Sequence, residues 1–82
     1  MSSDLIIVRA TWDDEAAVWV ATSEDVVGLI TEADTLELLT AKLKVMIPEL
    51  LELNGSPSNL REIPVHILTG ETIKVLNPRA AA

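Results

Sequence analysis

Ser23-Glu-Asp-Val-Val-Gly-Leu-Ile-Thr-Glu-Ala-Asp-Thr-Leu-Glu37 is the stretch on which the fold turns. It reads as the end of a strand, a turn at Gly28, a short apolar run and the start of a helix. Asp34 is placed as the N-cap, and Glu37 stands three residues later, the spacing of a capping box. Behind it lies the only long helical pattern in the chain: Leu36, Leu39, Leu43, Met46 or Ile47, and Leu50 recur every three to four residues and form one apolar stripe. Pro48 interrupts that stripe. A proline removes its own N–H bond and crowds the carbonyl four residues back, so the sequence predicts a kink or break near residues 44–47, with a second short segment over 48–53. Asn54-Gly55 is the stop signal, and residues 56–59 read as loop.

In front of this stretch the alternation of apolar side chains predicts a hairpin. Residues 5–12 form one strand, with Ile6, Val8, Ala10 and Trp12 on one face and Leu5, Ile7, Arg9 and Thr11 on the other. Residues 13–17 are the loop and Val18–Thr22 the returning strand. Residues 29–31 are a short third strand. After the helix, residues 63–69 form the next strand, with Pro64 near its start suggesting an edge position. A turn at Thr69-Gly70-Glu71 then leads to residues 72–76, a candidate final strand. The expected fold is α+β: a small antiparallel sheet in the order β-β-β-α-β, with one long kinked helix packed on one face. All of it belongs to a single domain with its core over residues 5–76 and a frayed tail at 77–82.

With 82 residues the chain builds one thin core. It has no cysteine, which excludes a disulfide and a thiolate metal site. The N-terminus lacks the basic region and apolar run of a signal peptide, and no apolar run is long enough to span a bilayer, so the expected location is the cytoplasm. Hydrophobic residues make up 49% while the net charge is −7. A thin core does not absorb that much apolar surface, so a homo-oligomer is expected. The negative charge argues against binding nucleic acid, whose phosphates it would repel, and suits a basic protein partner or plain solubility.

No constellation carries catalysis. Asp13, Asp14, Glu15, Glu24 and Asp25 are hard oxygen ligands, but sequence neighbours in a loop or strand do not converge on one ion. They read as solvated turn residues or as an acidic surface that steers a basic partner. His66 is the single histidine, without a second imidazole or a thiol to share a metal, and no spacing supports a triad with a serine. Gly28, Gly55 and Gly70 lie too far apart for a phosphate-binding loop. Trp12 and Trp19 lack the interleaved basic residues that base stacking wants. One of the two is expected under the helix and the other on a sheet face or interface.

The run Trp19-Val-Ala-Thr-Ser-Glu-Asp-Val-Val-Gly-Leu-Ile-Thr-Glu-Ala-Asp-Thr-Leu-Glu-Leu-Leu39 resembles the central motif of HicB-type antitoxins, and Trp12-Asp13-Asp14-Glu15 fits the hairpin before it. Ile47-Pro48-Glu49-Leu50 and Ile63-Pro64-Val65 extend the likeness to a poorly characterised subgroup. The resemblance implies a partial RNase H-like fold. It also implies that the chain neutralises a HicA-type mRNA-degrading toxin, a small basic protein, without an enzymatic activity or cofactor of its own. Two features depart from the family pattern. Val27 stands where a proline usually precedes the glycine, and only six residues follow residue 76, so no DNA-binding domain and no autorepression through DNA contacts are expected. The alternative is an assembly module of the same fold with no toxin. Asp13, Asp14, Glu15, Trp19, Glu24 and Asp25 are the candidate partner-contact residues.

Overall fold

The computed structural model describes residues 5–55 and 61–79; the loop expected at 56–59 and the last three residues of the expected tail lie outside them. Four strands and one helix follow in the order β1 (Ile6–Asp13), β2 (Val18–Thr22), β3 (Ile30–Ala33), α1 (Leu36–Asn54) and β4 (Val65–Gly70). They form one sheet in the order β3-β2-β1-β4. The α+β class, the order of elements and the edge position of the Pro64 strand are as the sequence implies.

The direction of the last strand corrects the expectation of a purely antiparallel sheet. β1–β2 and β2–β3 are antiparallel, but β4 runs parallel to β1, with Ile6 opposite Val65 and Thr11 opposite Gly70. The reason is the helix. A strand–helix–strand connection carries the chain back along the helix and starts the next strand in the original direction. α1 leaves one edge of the sheet at β3 and delivers the chain to the other edge at β4, beyond β2 and β1.

One face of the sheet carries the core. Ile6, Val8 and Ala10 of β1 are buried, as are Ala21 and Ala33 on the neighbouring strands, beneath Leu39, Leu43 and Ile47 of α1. Ala10 pairs with Ala21, and these small side chains let the helix approach the sheet. The apolar stripe of the helix is the one its spacing predicts. Val26 and Leu29 close the core from the β2–β3 connection. There the amide of Leu29 bonds the carbonyl of Val26 at 3.2 Å, and Gly28 takes φ 84° in the third position of that turn. This is the left-handed value a type II turn requires, and Val27 occupies the second position, where a proline also fits.

Other local expectations shift. The N-cap is Thr35, whose hydroxyl accepts the amide of Leu38 at 3.1 Å. Asp34 lies outside the helix and Glu37 serves in the first turn without closing a capping box. α1 is one helix through Pro48 rather than two segments. Pro48 has no N–H to give the Lys44 carbonyl, and both residues are exposed. No turn forms at Gly70, and residues 71–77 contain no strand, turn or bend. A strand needs a hydrogen-bonded neighbour, and nothing among the described residues lies beside this segment as one.

Candidate interaction surface

The acidic residues singled out by the sequence fall at two opposite ends of the β1–β2 hairpin. Asp13, Asp14 and Glu15 form its tip, because Asp13 pairs with Val18. Glu24 and Asp25 follow the other end, beyond the Arg9–Thr22 pair. Five residues of strand, roughly 15 Å, separate the groups, so they do not form one site. Most of these carboxylates also serve the fold. Asp13 Oδ1 accepts the amides of Glu15 and Ala16 at 3.1 and 3.2 Å, shaping the tip. Asp14 Oδ1 accepts the indole N–H of Trp12 at 3.3 Å.

Asp25 has a similar duty. Its Oδ2 accepts the amide of Ile7 at 2.9 Å, while Ser23 Oγ donates to the Ile7 carbonyl at 2.6 Å and accepts the amide of Asp25 at 3.0 Å. β1 reaches past the end of its β2 pairing at this point, and the two side chains take the place of the missing strand backbone. Glu15 and Glu24 are exposed. Trp12 and Trp19 face each other across the hairpin with ring centroids 5.5 Å apart, edge to face at 62°. Trp19 packs against the core, so the two indoles share one face of the sheet, on the helix side, instead of dividing between helix and interface. Among the described residues no group of three or more His, Cys, Asp and Glu could hold a metal ion, and no polar or charged residue is buried.

What the structure brings together is apolar. A helix packed on a four-stranded sheet buries one stripe, but α1 carries a second: Leu38, Ala41 and Val45, spaced three and four residues apart, with Met46 beside it. Leu38 is 54% exposed and Val45 60%. These residues line an open groove of about 740 Å³ between α1 and β3, closed on its other wall by Thr31 and Ala33. Glu32 and Asp34 also line it, and the ammonium of Lys42 bonds the carbonyl of Glu32 across it. Among the described residues β3 is an edge strand of the sheet, and the carbonyl of its Glu32 is taken by Lys42. Trp19 pairs with Ala33, which puts the acidic hairpin tip and Asp34 at the same end of the sheet. The second stripe was visible in the sequence at helical spacing, but a search for one core-facing stripe passes over it.

A second groove, about 310 Å³, runs between α1 and β4, at the opposite edge of the sheet. It is lined by Leu43, Ile47, Pro48, Ile63, Val65 and Ile67, with Thr40 and Lys44 on its rim. Among the described residues no helix covers the other sheet face, which is mixed in character: Ile30 is 67% exposed and Leu68 38%, among Arg9, Thr22 and His66. No helix among the described residues is long and apolar enough to cross a membrane.

Comparison with known proteins gives a family of unknown function. The chain is similar to the crystal structure of a hypothetical protein from the extremely thermophilic bacterium Thermus thermophilus, with 53% identity and a TM-score of 0.66, covering 89% of this chain and 99% of that one. No curated protein matches it. The model of the family described as a domain of unknown function, DUF1902, matches residues 5–77, which include all of the described sheet and helix. The chain belongs to this DUF1902 family.

Proposed function

We propose that the chain is a non-catalytic binding domain that docks on a small basic protein through the groove between α1 and β3. The partner class is the HicA-type toxin that the sequence resemblance implies, which makes the chain an antitoxin. The observation that carries this reading is the second stripe of α1, Leu38-Ala41-Val45, left open beside the edge strand β3 of the described sheet, with Asp34 and Lys42 also lining the groove. An apolar floor supplies contact area and an acidic rim steers and orients a basic partner. The tip residues Asp13, Asp14 and Glu15 lie at the same end and extend the acidic field, whereas Glu24 and Asp25 stand at the far end. Of the residues picked from the sequence, the tip acids therefore fit the docking role best, and Asp25 is assigned to the fold.

The test is co-expression with a HicA-type toxin encoded beside the gene. The expected result is restored growth and co-purification of the two chains, both lost in a Leu38→Asp/Val45→Asp variant whose circular dichroism matches the parent. Toxicity that persists beside the unmodified, folded chain would overturn the reading.

A further inference from the structure

We infer that the groove between α1 and β4 is filled by residues 71–76 of a second copy of this chain, the two copies exchanging these segments about a two-fold axis at Gly70. This does not depend on the toxin reading, which uses the opposite edge of the sheet. The segment Glu71-Thr-Ile-Lys-Val-Leu76 directly continues β4, without a turn or bend before Pro78. It has strand-forming residues in alternation, yet no described strand pairs with it: Ile73 is 73% exposed, Val75 80% and Leu76 92%. Among the described residues nothing pairs with the outer edge of β4, and on its helix side lies an apolar groove. An unpaired strand-competent segment and an unpaired strand edge are the two halves of one interaction.

Alternation fixes the register. Val65 and Ile67 are the β4 side chains in the groove. Odd-numbered positions of β4 and of its continuation point the same way, so Ile73 and Val75 belong to the helix side. Antiparallel pairing that sets Ile73 against Ile67 and Val75 against Val65 of the other copy also sets Thr69 against Glu71, and leaves Gly70 opposite itself. A shift by one residue would put Lys74 and Leu76 on the groove side instead. The axis passes where neither chain has a side chain, and nothing lies within 4 Å of the position a Cβ would take at Gly70. A rotation about an axis normal to the sheet keeps both helices on one side, so each segment covers the groove of the other copy. Charge agrees: residues 71–79 hold one carboxylate, Glu71, against Lys74 and Arg79, while the chain as a whole carries −7. Folding back onto its own β4 would need a tight reversal at residues 70–72, where no turn or bend forms.

The chain has no cysteine, so a designed pair reports without background. An Ile67→Cys/Ile73→Cys variant, oxidised at micromolar concentration, should run as a covalent dimer joined across the axis and return to monomer on reduction. Ile73→Asp/Val75→Asp, which alters only exposed positions, should keep the circular dichroism of the parent and halve its mass by light scattering. A disulfide closed within one chain would overturn the proposal in favour of a hairpin. So would a dimer that persists in the Asp variant, because the copies would then meet elsewhere.

Discussion

Thr35 and Asp34 compete for the start of α1, and the difference is measurable. Only Thr35 offers its oxygen to an amide of the first turn. Thr35→Ala should cost about 1 kcal/mol of unfolding free energy. Asp34→Ala should change it by no more than a few tenths of a kcal/mol. Denaturant melts of the two variants check the order. Ala17 is a second local decision. It closes the hairpin tip with its amide on the Asp13 carbonyl at 2.7 Å and does so at φ 58°, where a Cβ is crowded. Ala17→Gly should therefore stabilise by about 1 kcal/mol, seen as a higher melting temperature; a lower one would mean the tip relies on the alanine methyl. At this scale the sequence was informative wherever a residue type has one job. Gly28 was legible as a turn glycine. The choice between two adjacent caps was not, because Asp and Thr both cap well and only the direction of the entering chain decides. Nor did the acids announce their roles: Asp25 reads as a surface charge until β1 is seen to need its carboxylate.

The elements show where local pattern suffices and where it does not. β1, β2 and the buried stripe of α1 follow from alternation and helical spacing, since both are set by neighbours along the chain. The sense of β4 is set by the path of the helix across the sheet, and reading strands one at a time hides it. α1 passes through Pro48 because Leu43 and Ile47 before it and Leu50 and Leu51 after it all hold to the same core, which outweighs one lost hydrogen bond. Replacing that proline tests the balance. Pro48→Ala should restore the bond to the Lys44 carbonyl and stabilise by about 1–3 kcal/mol, read from the denaturation midpoint. An unchanged or lower midpoint would show that the helix gains from the proline. The candidate site was half legible. The acidic tip was found, but the stripe Leu38-Ala41-Val45 was not, because which of two apolar stripes is buried depends on where the sheet lies.

As a whole, the molecule spends its apolar residues unevenly. Among the described residues eleven side chains form a buried core, and as many large hydrophobic ones, from Leu5 to Leu76, remain exposed. They concentrate along the two edges of the sheet and in the segment after β4. A domain that worked alone would leave this surface in water at roughly 25 cal/mol per Å². Under the two proposals a second copy would cover one edge and leave the other for a basic partner. The composition already hinted at this, with 49% hydrophobic residues beside a charge of −7, but composition does not say which edge serves which purpose.

The mass of the unmodified chain in solution, taken by light scattering across a dilution series at moderate salt, tests this most directly. The expected particle has twice the 8.9 kDa chain mass and persists to low micromolar concentration. A particle of 8.9 kDa at every concentration would contradict the exchange of segments between copies.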